Sequence, residues 1–352
     1  MKSFNVGILG ATGAVGQKFI RLLQNHPWFN ITAVGASERS AGKFYREAAN
    51  WIESSPLPVK IAELKVKPCH SEAFQPIDFV FSGLDSSVAE SIEADFAGAG
   101  IPVISNAKNY RMHEHVPLLV PEVNPDHIDL IDHQTFSDNG NGWIVTNPNC
   151  VVIPLVMALK PIHERYGLKS VILTSMQAIS GAGYPGVPSL DILGNVIPLI
   201  SGEEPKIETE PLKLLGSLKG TSIEFANIPI QATATRVPVR NGHMLSVSAS
   251  LETLPESTEE LKSVFTSWKN PLRELDLPSS PKYPLYVYED QRYPQPFLHA
   301  NEENGMRTAI GRVRTGEVMD ISFIAMAHNT VRGAAGGAIL NAELLAAKGK
   351  LR

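Results

Sequence analysis

Cysteine is scarce in this chain of 352 residues, which has only Cys69 and Cys150. Two cysteines without a C-x-x-C spacing exclude a disulfide-stapled secreted framework and a cysteine zinc site, and make a reducing, cytoplasmic compartment the expectation. Long apolar runs are also missing: the longest, residues 151–159, is about half of what crosses a bilayer. No signal peptide is expected, because Met1-Lys2-Ser3-Phe4-Asn5 leads straight into a strand-like segment. There is no basic stripe either. The 31 basic and 36 acidic residues are scattered and give a net charge of -5, which argues against binding to nucleic-acid phosphates. No internal repeat or low-complexity tract is present. With 43% hydrophobic and 19% charged residues, the chain has the composition of a globular protein and the length for two domains.

The first 149 residues alternate apolar strand-like segments (6–9, 31–34, 79–81, 103–104) with helical ones (18–24, 88–99), the pattern of a Rossmann-type, doubly wound parallel sheet. Beyond Cys150 the character changes. Residues 170–177 read as a strand, and Leu245, Val247, Ala249 and Leu251 alternate with polar or small residues, as on a sheet with one buried face. The expectation is an α/β protein in two parts. Residues 1–149, joined by 330–352, form the dinucleotide-binding domain, and residues 150–329 an α+β catalytic and dimerisation domain with a mixed, largely antiparallel sheet. Residues 330–347 read as one returning helix whose Gly333, Gly336 and Gly337 allow close approach, while 181–194 and 283–305 read as long loops.

Gly10-Ala11-Thr12-Gly13-Ala14-Val15-Gly16 lies between the first strand and the first helix, where backbone N–H groups and the helix dipole meet a pyrophosphate. The spacing is GxxGxxG, not GxGxxG. After the second strand, Ser37-Glu38-Arg39-Ser40 supplies two hydroxyls and a guanidinium that suit a 2′-phosphate; Glu38 leaves NAD open.

Asn147-Pro148-Asn149-Cys150 precedes an apolar helical run, so Cys150 is expected at a helix start, where the dipole favours thiolate. Cys69, between Pro68 and His70, reads as a small buried hydrophobe. A thiolate nucleophile needs a base, oxyanion donors and substrate anchors. The segments Gln177-Ala178-Ile179-Ser180-Gly181-Ala182-Gly183 and Arg236-Val237-Pro238-Val239-Arg240-Asn241-Gly242-His243 carry such groups at the ends of predicted strands. His113 and His115 have no further ligand cluster beside them, so no metal is expected.

These motifs, with Ser105-Asn106-Ala107 and Arg111, Val120-Pro121-Glu122-Val123-Asn124, Glu203 to Lys206 and Asn329 to Gly337, occur in an order that resembles the aspartate-β-semialdehyde dehydrogenases of the archaeal and fungal type over essentially the full length. The sister N-acetyl-glutamyl-phosphate reductases typically place a glycine before the cysteine and a tyrosine after it, where this chain has Asn149 and Val151. The resemblance implies NADPH-dependent reduction of L-4-aspartyl phosphate to L-aspartate 4-semialdehyde and phosphate, in the biosynthesis of aspartate-derived amino acids. Cys150 would be the acylated nucleophile, His243 the acid/base and Gln177 the group orienting the thioester. Arg236 would grip the substrate carboxylate, Glu203 its amino group, and Lys206, Arg111 and Asn149 the leaving phosphate. NADP(H) would be held by Gly10, Thr12, Gly13, Ala14, Val15, Ser37, Arg39, Ser40, Ser82, Ser180, Gly181 and Asn329. A homodimer or homotetramer is implied, with the second sheet at the interface. Two alternatives stay open: a malonyl-CoA or succinyl-CoA reductase, whose acyl group has no amine for Glu203, and a non-catalytic NADP-sensing protein.

Overall fold

The computed structural model describes residues 3–351. Its first sheet contains β1 (Phe4–Leu9), β2 (Phe29–Ala36), β3 (Lys67–Pro68), β4 (Phe79–Ser82), β5 (Val103–Ser105) and β6 (Ile144–Thr146). All neighbours are parallel, in the order β3-β2-β1-β4-β5-β6. That order reverses direction between β1 and β4, and a crevice opens at the carboxyl ends of the strands at such a point. Burial of all four residues of β4, and of five of the six in β1, is what a parallel sheet covered on both faces requires. β3 and β6 went unread in the sequence because two or three residues have no detectable period.

The second sheet is assembled from β7 (Leu168–Gln177), β10 (Ile230–Arg236), β11 (His243–Leu251), β12 (Leu285–Val287), β13 (Thr308–Thr315) and β14 (Ile321–Ala327); a short hairpin, β8 (Ser217–Lys219) and β9 (Ser222–Glu224), stands apart. Its order is β10-β7-β11-β14-β13-β12, with parallel pairs at the two edges and antiparallel pairs between. Val171, Leu173, Ala234, Leu245 and Val247 turn inward against the helix Val152–Tyr166, while Ile172, Thr174, Thr233 and Ser246 stay open on the other face. The helix is apolar nearly all round, as expected of one enclosed between layers.

The returning segment differs from the single predicted helix. It begins as a π-helical turn, Val331–Ala335, and continues as the α-helix Gly336–Ala347. The wide turn is closed by Gly333 N–H to His328 O at 3.0 Å and Ala335 N–H to Thr330 O at 3.3 Å. A Cβ on Gly333 would lie 2.8 Å from Cys150 Cβ, and one on Gly337 2.9 Å from Asn147 Oδ1, so these glycines seat the segment against the nucleophile loop. Ile339, Leu340 and Leu345 join the same apolar cluster as Val6, Ile8, Phe19 and Phe81. The predicted loops contain short elements, among them helices Ser189–Ile192 and Pro296–His299. No helix among the described residues is long and apolar enough to cross a membrane.

Candidate active site

The glycine-rich turn after β1 divides its work. Gly10 has φ +72°, and a Cβ there would meet Gly83 O at 2.7 Å; a Cβ on Gly16 would meet Gly10 O at 2.3 Å. The first glycine makes the turn and the third packs the helix onto it. The helix Ala14–Leu23 starts at Gly13, which supplies no side-chain cap, and its first turn carries no acidic residue. Its leading N–H groups therefore suit an anion. A cleft of about 630 Å³ opens beside it, lined by Ala14, Lys18, Ser180, Tyr184, Asn241 and His328 among others. Ser37, Arg39 and Ser40 form a largely exposed turn after β2, closed by Ser40 N–H to Ser37 O at 2.8 Å.

Two of the cofactor residues named from the sequence turn elsewhere. The hydroxyl of Ser82 points inward and donates to Glu93 Oε1 at 2.6 Å, so Ser82 has only backbone to offer a dinucleotide. Ser105 donates to the same oxygen at 2.7 Å, and burial holds the Glu93 carboxyl up at about 7. Asn329 is buried and works as a tether: its Nδ2 donates to Ser180 Oγ at 2.8 Å and its Oδ1 accepts the Gly242 N–H at 2.9 Å.

Cys150 stands immediately before Val151, the cap of the helix Val152–Tyr166, at the helix start as expected. The expected thiolate is not favoured there. Asn149 already takes the leading amides of that helix, Val151 N–H on its Oδ1 at 2.9 Å and Val152 and Ile153 N–H on its carbonyl, so little of the dipole is left to act on sulfur. Burial and the Glu203 carboxylate push the thiol up to about 12, against the pull of Arg111, Lys206 and Arg236. Cys69 is buried against Ala36 O, in keeping with its reading as a small apolar residue.

Glu203 Oε1 accepts from Asn149 Nδ2 at 2.7 Å, and Glu203 Oε2 from Lys206 Nζ at 2.5 Å. Arg111 is committed on two sides, to Glu210 Oε1 at 2.8 Å and to the carbonyl of Asn106 at 2.8 Å. The other Glu210 oxygen accepts the Asn149 N–H at 2.7 Å. Sequence reasoning missed Glu210, and with it Lys213, whose ammonium holds the carbonyls of Arg111, His113 and Val116 at 2.8–2.9 Å. The signal was available: Glu203, Lys206, Glu210 and Lys213 are spaced 3, 4 and 3, one face of the helix Glu204–Leu214 and the residue that caps it. His328 in the cleft was missed as well, having no motif of its own.

The strand ends converge on the same place. Arg236 pairs in register with Gln177 at the ends of β10 and β7, and β11 begins beside them at His243. Ala178, just after β7, serves two of these groups: its carbonyl accepts from Arg236 at 2.8 Å and its N–H donates to His243 Nδ1 at 3.0 Å. Gln177 donates to Ser175 Oγ at 3.2 Å. A Cβ on Gly181 would fall 2.8 Å from the Arg236 guanidinium and 2.9 Å from the His243 ring. Since both side chains are held by Ala178, Gly181→Ala is expected to displace them and cut kcat/KM by about 10²-fold with little change in thermal midpoint. Unchanged kinetics in that variant would count against this packing.

Comparison with known proteins follows the same outline. A family model described as the semialdehyde dehydrogenase NAD-binding domain matches residues 5–131, and one described as the semialdehyde dehydrogenase dimerisation domain matches residues 159–332. Aspartate-semialdehyde dehydrogenase of Archaeoglobus fulgidus is 49% identical over 342 residues, 97% of this chain and 98% of that protein. The Schizosaccharomyces pombe enzyme of the same name is 45% identical over 350 residues, 98% of each chain. The crystal structure of aspartate semialdehyde dehydrogenase with NADP from Candida albicans has a TM-score of 0.92 at 39% identity, covering 99% of this chain and 100% of that one.

Proposed function

This chain belongs to the aspartate-semialdehyde dehydrogenase family, and from that premise we propose how its residues carry out NADPH-dependent reduction of L-4-aspartyl phosphate to L-aspartate 4-semialdehyde and phosphate. One observation carries the reading. Around the single sulfur of Cys150 stand three cationic side chains, Arg111, Lys206 and Arg236, and one carboxylate, Glu203. An aspartyl phosphate has two anionic ends and one ammonium group, the inverse of that set.

In this reading Arg236 holds the substrate carboxylate through its planar fork and Glu203 meets the amino group. Lys206, Arg111 and Asn149 receive the phosphate. Glu203 occupies Lys206 and Asn149 in the substrate-free protein and is expected to turn to the incoming amine. Cys150 attacks the acyl carbon, expels phosphate and becomes a thioester, which Gln177 orients, with His243 as the acid/base. The uncapped helix start at Gly13, the turn of Gly10 and the adjoining cleft fit a dinucleotide; Thr12, Ala14, Val15, Ser180 and Gly181 would line it, with Ser37, Arg39 and Ser40 toward a 2′-phosphate. Bound NADPH supplies the hydride that reduces the thioester.

We place the division of the chain at 149/150 and 329/330, supported by the returning helix packing into the first apolar cluster. A homo-oligomer is supported by the uncovered face of the second sheet and by exposed Leu190, Leu193 and Leu199 on the arm after β7; a homodimer is the simplest assembly that would cover them. Both cysteines are free, which suits a cytoplasmic setting.

A CoA-thioester reductase is not favoured, because a malonyl or succinyl group leaves buried Glu203 without an amine. Assays with aspartate semialdehyde, phosphate and NADP should show turnover, and malonyl-CoA or succinyl-CoA with NADPH should not. Activity restricted to the CoA esters would reject this substrate.

A further inference from the structure

We propose that Glu93 is a positioning residue for two of the reactants at once: through Ser82 it fixes the strand end that backs the dinucleotide turn, and through Ser105 the strand end that carries the phosphate anchor Arg111. This rests on the reaction as read above, which makes phosphate the anion that Arg111 receives.

Glu93 lies on the helix Ser86–Gly98 and is fully buried. Ser82 and Ser105 are the last residues of β4 and β5, stand opposite each other in register, and are fully buried as well. A single oxygen, Glu93 Oε1, accepts both hydroxyls, at 2.6 and 2.7 Å. The backbone ladder already pairs the two strands, and burying polar side chains is costly. What the trio adds to the ladder is direction: it fixes how the chain leaves each strand.

Both exits lead to the site. After β4, Gly83 packs on the glycine-rich turn; a Cβ on Gly10 would meet Gly83 O at 2.7 Å, and one on Gly83 would come within 3.3 Å of Gly16 N. After β5, the Ser105 hydroxyl also accepts the Ala107 N–H at 3.0 Å, which leaves Asn106 held from both sides. Asn106 donates its N–H to Ser82 O at 3.0 Å, takes Arg111 on its carbonyl at 2.8 Å and takes Asn147 Nδ2 on its Oδ1 at 3.1 Å. Arg111 and the loop from Asn147 to Cys150 thus take their places from the strand end that Ser105 fixes. Burial raises the Glu93 carboxyl, and the two serines and Arg111 pull against it, so the tie sits close behind the phosphate anchor.

The second oxygen, Glu93 Oε2, is buried without a protein partner. The serines use only an acceptor at the Oε1 position, and an amide oxygen placed there serves them as well as a carboxyl oxygen does. Glu93→Gln therefore keeps the tie, while Glu93→Ala removes it.

Direct binding of NADP, followed by the quenching of protein fluorescence, and the phosphate KM in oxidation of aspartate semialdehyde read the two arms separately. Ser82→Ala should weaken NADP binding about tenfold and leave the phosphate KM within about twofold, and Ser105→Ala should do the reverse, each variant losing one buried hydrogen bond. Glu93→Ala should weaken both by about tenfold, and Glu93→Gln should hold both within about threefold of the parent. The two serine variants decide the matter if Glu93→Ala does not fold. Constants that move together in both serine variants, constants that stay at parental values in both, or a folded Glu93→Gln as poor as Glu93→Ala would overturn the proposal. Failure of the tie is distinct from failure of the reaction. A parent protein that does not turn over semialdehyde, phosphate and NADP would reject the reaction, whereas NADP binding by Ser82→Ala and Ser105→Ala judges the tie without any turnover.

Discussion

Cys150→Ser is expected to lose at least about 10⁴-fold in turnover with its fold intact, because the reaction has one nucleophile and a serine hydroxyl is far harder to ionise than a thiol. Serine adds no bulk at a position packed so closely on Gly333 that a Cβ on that glycine would lie 2.8 Å from the Cys150 Cβ, so the loss is chemical. Even the native thiol is held up at about 12 by burial and by Glu203. Because the pKa is raised, the thiolate fraction of the substrate-free enzyme is small at neutral pH and grows with pH. Alkylation by iodoacetamide should therefore accelerate steadily from pH 6 to 9, and a rate already at its plateau by pH 7 would contradict the arrangement of charges described for Cys150.

Glu210→Ala should have the largest effect on stability of any change at the site. It strands the buried Arg111 guanidinium and the Asn149 N–H together, and breaking a buried pair from one side costs about 3–5 kcal/mol. The Asn149–Cys150 turn loses an anchor in the same stroke, so kcat/KM should fall along with the denaturant midpoint. Glu210→Gln keeps an acceptor for one partner and should be milder in both. A Glu210→Ala protein within about 1 kcal/mol of the parent would mean that water replaces the carboxylate and that the clamp is not structural.

Much of the fold was legible from period alone. The apolar stretches at 6–9, 31–34, 79–81 and 103–104 lie inside β1, β2, β4 and β5; a strand buried on both faces, as β4, β5 and nearly all of β1 are, must be largely apolar, and β2 is buried continuously only from Ala33. β3 and β6 were too short to show a pattern. The returning segment looked like one helix because its alanines, leucines and glycines suit any helix. Only the contact of Gly333 with Cys150, more than 180 positions away in the chain, reveals why its first turn is widened.

The candidate site was legible where chemistry sits next to a turn or a strand end, as with Cys150, Gln177, Arg236 and His243. It was not legible where long-range packing decides the outcome. The ionisation of Cys150 depends on Glu203 folding beside it, the tautomer of His243 on the Ala178 amide, and the direction of Ser82 on Glu93 beneath the sheet. Glu210 and Lys213 were written in helical spacing, but a charged helix face is more often solvated than buried.

The most direct measurement of the central claim is peptide mass spectrometry after mixing enzyme with aspartate semialdehyde and NADP in the absence of phosphate, quenched in acid. An aspartyl group should be found as a thioester on the peptide containing Cys150 and nowhere else, and added phosphate should discharge it. Finding no adduct, or finding it on Cys69 or on a lysine, would contradict the account.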